Sequence, residues 1–76
     1  MYLYKNIFDS MKGTVKSLIV DKNFGFITPE TGEKDVFFHA SGLNGLQFSE
    51  LRMGDLVEFE VEESEKGPRA INVARA

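Results

Sequence analysis

The sequence predicts an all-β domain closed into a five-stranded antiparallel barrel, and three observations predict it. Apolar residues recur with a period of two, not 3.6, along almost the whole chain. Turn-forming residues separate the alternating runs at short intervals. At 76 residues with no cysteine, the chain must build its core and protect its strand edges without disulfides. Closure into a barrel leaves little edge exposed.

The elements follow in order. Lys12 to Val20 is rich in β-branched residues and reads as the first strand. Phe24 to Thr28 and Asp35 to His39 alternate and form the second and third, joined by the tight turn Pro29-Glu30-Thr31-Gly32. Val57, Phe59 and Val61 are separated by Glu58, Glu60 and Glu62, which marks a half-buried fourth strand. The fifth runs from about Arg69 to Arg75. Asp21-Lys22-Asn23, Asn44-Gly45, Met53-Gly54-Asp55 and Lys66-Gly67-Pro68 supply further turns. Only Ala40 to Leu51 breaks the rhythm; it is the longest connection, with a helical turn expected at Ser41 to Leu43. Five short strands in so small a chain fit the OB type of barrel.

Alternation then assigns the faces. Ile27, Val36 and Phe38 point inward with Val15, Val57, Phe59, Val61 and Val73 to make the core. Phe24, Phe26, Phe37 and His39 point the other way. Flat rings directed at solvent are a costly use of apolar surface unless an unpaired nucleobase lands on them. The competing reading packs Phe24 and Phe26 under the 40–51 loop and makes His39 an ordinary strand-end residue. Gly25, between the first two rings, weakens a strand unless a neighbouring backbone or ring comes close, so a close approach is expected there.

Composition excludes several classes. Without cysteine there is no thiolate zinc site, and no run approaches the ~20 apolar residues that cross a bilayer. A basic start with an apolar stretch and a cleavage site is also missing, so a cytoplasmic protein is expected. His39 has no evident acid and nucleophile beside it, Ser17 and Ser41 lie in no elbow motif, and no phosphate loop or metal-ligand cluster is present. The expectation is therefore no enzyme, no cofactor and no metal. A net charge of -3 argues against nucleic acid as a partner. Its distribution argues otherwise: five acids fall between Glu58 and Glu65, whereas Lys12, Lys16 and Lys22 lie around the first two strands.

Lys22-Asn23-Phe24-Gly25-Phe26 matches part of the RNA-binding signature K/R-G-F/Y-G/A-F. An RRM needs helices between its strands, and here Pro29 and Gly32 close a hairpin directly onto Val36-Phe37-Phe38-His39. With that hairpin as its centre the chain resembles the cold-shock domain family. Met11-Lys12-Gly13-Thr14-Val15-Lys16 resembles the family's opening, Lys22 to Ile27 its first motif, Asp35 to His39 its second, and Lys66-Gly67-Pro68-Arg69-Ala70-Ile71-Asn72-Val73 its ending. The resemblance spans Met11 to Val73. It implies an OB barrel that binds single-stranded RNA or DNA with little sequence choice, often as an RNA chaperone. It also implies that the loop residue Phe48 stacks with Phe24, Phe26, Phe37 and His39.

Departures from that pattern bear on affinity. Ser17-Leu18-Ile19 stands where the family usually has Trp-Phe-Asn, Ala40 where it has Phe, and Asn23 where it has Gly. At about 1–3 kcal/mol per stack, three missing rings remove roughly 3–9 kcal/mol if the losses add, so weak binding is expected, with Leu18 offering apolar contact in place of a ring. Lys16 and Lys22 flank the rings and suit phosphate contacts; Arg69 suits a third contact or a base stack, with a solvated surface role as its equal alternative. Three engaged phosphates imply a salt slope near -2, taking about -0.7 for each on a single strand.

Residues 1–10 lie outside the resemblance and form an N-terminal extension to the 11–76 domain. Besides Met1 they carry five large apolar or aromatic residues, too many for a typical disordered tail. Three readings stay open: an appendage that packs on the barrel or pairs with a partner to give a weak dimer, an unstructured leader, and an upstream start codon ahead of Met11. A tail docked over Ser17, Leu18 and Ala40 would account for the missing rings. The rival to nucleic-acid binding is a protein-interaction module, whose converted face of Leu, Ile and Ala receives a protein partner.

Overall fold

Alternating strands need partners for their backbone groups, and here the ladder closes on itself. The computed structural model describes residues 11–32, 34–65 and 67–76. Five strands follow in order: β1 Met11–Ile19, β2 Phe24–Pro29, β3 Val36–His39, β4 Leu56–Ser64 and β5 Gly67–Arg75. They form a closed barrel in the order β1-β2-β3-β5-β4, with β4 paired back onto β1. The proposed N-terminal extension, Glu33 and Lys66 lie outside the described residues.

One expectation needs correction. The barrel is not purely antiparallel, because β3 and β5 run parallel through Phe37↔Arg69 and Phe38↔Ala70, continued by an isolated parallel bridge, Leu43↔Val73. The 40–55 connection causes this. It carries the chain across the end of the barrel so that β4 returns beside β1, and the β4–β5 hairpin then brings β5 to β3 in the same direction as β3.

The core is the inward face that alternation assigned. Val15, Ile27, Val36, Phe38, Val57, Phe59 and Val73 are buried, and Ala70 and Leu51 join them. Val61, expected inside, is only partly buried and packs on the core margin. The helical turn of the long connection spans Ala40–Gly42, one residue earlier than expected, and a second 3₁₀ turn spans Phe48–Glu50. Gly25 has the expected close approach: a Cβ there would collide with the Ser17 carbonyl oxygen and lie 2.8 Å from the Phe38 ring. Its missing side chain is the space that Phe38 fills. Among the described residues no helix is long and apolar enough to cross a membrane.

Candidate nucleic-acid interface

Register builds the outward face. Cross-strand partners share a face, so Ile19↔Phe24↔His39 forms one row across β1, β2 and β3. Ser17↔Phe26↔Phe37↔Arg69 forms the next, continuing onto β5. A bulge between Val15 and Ser17 resets the alternation of β1, which keeps Val15 in the core while turning Ser17 and Ile19 outward. Leu18, opposite Gly25, packs on the core side instead. The apolar contact expected from Leu18 therefore passes to Ile19.

The three outward phenylalanines form one cluster. Ring centroids are 5.4 Å apart for Phe24–Phe37, 6.0 Å for Phe24–Phe26 and 6.1 Å for Phe26–Phe37. Interplanar angles of 43°, 90° and 69° show that Phe26 meets Phe24 and Phe37 edge to face, while Phe24 and Phe37 are tilted against each other. Each is partly buried, and none is sealed inside the barrel or covered by the 40–51 loop as a core residue. His39 is exposed at the end of its row. Its Nδ1 accepts the Ser41 backbone N–H at 3.0 Å, so in the neutral ring the proton sits on Nε2, where it is free to donate.

Phe48 stands apart from this cluster. Its ring lies 6.1 Å from that of Phe38 and packs against the core, where Phe38 is fully buried. Beyond β3, a cavity of about 510 Å³ opens between Phe37, His39, Ser41 and the β4–β5 hairpin at Ser64, Gly67, Pro68 and Arg69. The row of rings thus runs into a recess floored by the parallel seam. Ser64, Gly67 and Pro68 carried no signal in the alternation pattern, because a hairpin tip has none.

The cations are arranged unequally. Lys22 is exposed and has no ion-pair partner among the described residues. Lys16 Nζ donates to Asp35 Oδ2 at 3.0 Å, and Thr28 Oγ1 donates to Asp35 Oδ1 at 2.9 Å. The Lys16 ammonium and, after it, the Thr28 hydroxyl hold the Asp35 carboxyl below its ordinary 3.8, so it stays anionic at neutral pH. Arg69 donates from Nε and Nη2 to one Glu62 oxygen at 3.1 and 3.0 Å.

Lys22 and the rings are joined by Asn23, whose φ of 59° and ψ of 39° place it in the left-handed region. Asparagine is the side chain that best tolerates this conformation after glycine. The turn thereby survives the departure from glycine and still delivers Phe24 to the face. Among the described residues there is no cluster of three or more metal-ligating side chains.

Comparison with known proteins agrees with this geometry. The model of the 'Cold-shock' DNA-binding domain matches residues 11–76. The cold shock-like protein CspC of Buchnera aphidicola is 51% identical over 63 residues, which cover 83% of this chain and 91% of the relative. CspC of Escherichia coli K12 shows the same identity and coverage, and CspE of Buchnera aphidicola is 52% identical over 63 residues. Among solved structures, Drosophila Unr CSD456 superposes with a TM-score of 0.73 at 28% identity, over 90% of this chain and 27% of that longer one. With the barrel order, the ring-bearing hairpin and these matches in agreement, the chain belongs to the cold-shock domain family.

Proposed function

We propose that the protein binds single-stranded RNA or DNA by stacking unpaired bases on Phe24, Phe26, Phe37 and His39, and loosens RNA secondary structure as a weak chaperone. Nucleic-acid binding is what the family and the relatives support. The observation that carries the stacking mode is the outward cluster of three rings within 6.1 Å of one another. Their mutual tilt adds a reason for strand selectivity. Rings at 43–90° to each other cannot receive bases that remain parallel as in a duplex, whereas a single strand can splay one base onto each ring.

Magnitudes keep the affinity low. At about 1–3 kcal/mol per stacked base against an association cost of about 4–15 kcal/mol, four rings support a micromolar or poorer Kd. Weak, sequence-tolerant binding is what a chaperone needs, since it must release each strand. Lys22 supplies a phosphate contact, with Lys16 and Arg69 beside the rings. Phe48, packed on Phe38, adds a stack only by turning out of the core margin. No catalytic step and no cofactor is needed for this role, one copy suffices, and a partner of cellular RNA suits a cytoplasmic protein.

A protein-binding role is the second reading, favoured by Ile19 opposite Phe24 and Ser17 opposite Phe26, where rings would serve bases better. Chemical-shift mapping with a short pyrimidine-rich oligonucleotide separates the two. Nucleic-acid binding is expected to perturb Lys22, Phe24, Phe26, Phe37 and His39, and Phe37→Ala to weaken the titration by about 1–3 kcal/mol. Unmoved resonances at these five positions would defeat the stacking reading.

A further inference from the structure

We propose that Asp35 and Glu62 are specificity-determining residues: each occupies a cation bordering the ring row, and together they set the preference for unpaired over duplex nucleic acid. This rests on the single-strand reading above. The row Ser17↔Phe26↔Phe37↔Arg69 continues onto β4 as Arg69↔Glu62, and the Arg69 guanidinium is held by Glu62 through two hydrogen bonds to one carboxylate oxygen. At the other end Lys16 stands in the β1 bulge beside Ser17, held by Asp35 at 3.0 Å. Asp35 is itself fixed by Thr28, and by alternation Thr28 and Asp35 lie on the same face as Phe26 and Phe37. Both cations are open to solvent, with side chains 62% and 50% exposed, yet neither presents an uncompensated charge.

The consequence differs for the two kinds of ligand. A duplex keeps its base faces stacked and must bind through its phosphates, while a single strand adds base stacking to phosphate contacts. A carboxylate on the cation subtracts from the phosphate contribution alone. When Lys16 or Arg69 moves to a phosphate it leaves a bare carboxylate behind, one anion exchanged for another, with no net release of counterions. Each duplex phosphate releases about 0.9 counterion against about 0.7 on a single strand, so duplex affinity falls further than single-strand affinity. The hydrogen bonds of the two carboxylates go to Lys16, Thr28 and Arg69, and the aromatic contacts join the rings to one another, so the carboxylates act on the charge and not on the stacking surface.

The salt slope reads this directly. With Lys22 alone contributing, the slope for a single strand is about -0.7, and with all three cations about -2. The test is fluorescence polarisation of the full chain with a labelled pyrimidine 12-mer and a duplex of equal length, between about 50 and 200 mM salt. Wild type is compared with D35N/E62Q, with each single variant, and with E30Q/E63Q, which changes net charge equally at residues outside these pairs. For D35N/E62Q we expect a single-strand slope near -2, single-strand affinity raised about threefold, and duplex affinity raised about tenfold at the lower salt, with E30Q/E63Q leaving the slope near that of wild type. A slope unchanged in D35N/E62Q, or matched by E30Q/E63Q, overturns the proposal. The single variants each carry part of the effect, so a folding defect in one leaves the other as a test. If wild type binds neither probe while D35N/E62Q binds both equally, carboxylate occupancy stands and the stacking reading fails; if no variant binds either probe, both fail.

Discussion

Phe38 and Gly25 show how one missing side chain serves both faces of the sheet. Phe38 is fully buried and its ring fills the space beneath Gly25, while Phe24 and Phe26 rise on either side of that glycine toward solvent. Adding a methyl group puts Cβ 2.8 Å and 3.0 Å from Phe38 ring carbons and against the Ser17 carbonyl, and backbone cannot yield as a flexible side chain can. Gly25→Ala is expected to destabilise the fold by about 1–3 kcal/mol, with a melting temperature lower by about 4–8 °C per kcal/mol. Thermal denaturation checks it; an unchanged midpoint would mean that the Phe38 packing is looser than these distances show. The need for glycine here was legible in the sequence, because a glycine between two rings in a strand demands a close approach. That the approaching group was Phe38 required the register Gly25↔Phe38. The ion pairs were not legible: Lys16–Asp35 joins residues 19 apart in the chain and Arg69–Glu62 residues 7 apart, and no local pattern reports such contacts.

The five strands and, apart from Val61 and Leu18, their inward and outward faces were read correctly from alternation, since period two fixes which side chains share a side until a bulge resets it. Alternation carries no information about the direction of a non-adjacent partner, which is why the parallel β3–β5 seam was missed. The Ala40–Leu51 connection was equally opaque. It has no period, so nothing in its sequence marked Leu51 as a buried plug or placed Phe48 on Phe38. The β1–β2 turn is a further element that resemblance alone leaves in doubt, because Asn23 departs from the family's glycine. The left-handed conformation explains both the preference and the exception: it costs an ordinary L-residue roughly 1–2 kcal/mol and asparagine less. Asn23→Ala is expected to destabilise the protein by about 1 kcal/mol, while Asn23→Gly stays within about 0.5 kcal/mol of wild type. Urea denaturation of the two variants checks this. Equal losses would show that the Asn23 side chain, not its backbone conformation, supports the turn.

For the whole molecule, affinity for nucleic acid has two separable sources, flat apolar surface and positive charge, and this chain is sparing with both. Its net charge is -3, two of the three cations proposed to meet phosphate are paired, and Ser17 opposes Phe26 where the family usually carries Trp. Because Ser17 shares a row with Phe26 and Phe37, an indole at that position extends the ring surface without adding charge. Ser17→Trp is expected to strengthen single-strand binding by about 1–3 kcal/mol, a gain of roughly 5- to 150-fold in affinity. The slope of log K against log salt should stay where it is, since no phosphate contact is added. Polarisation titrations at several salt concentrations measure both quantities together. A tighter Kd with a steeper slope would mean that the new ring acts by repositioning a lysine or arginine. An unchanged Kd would mean that bases do not reach the β1 side of the sheet, which would confine the strand to Phe24, Phe37, His39 and the recess beside Arg69.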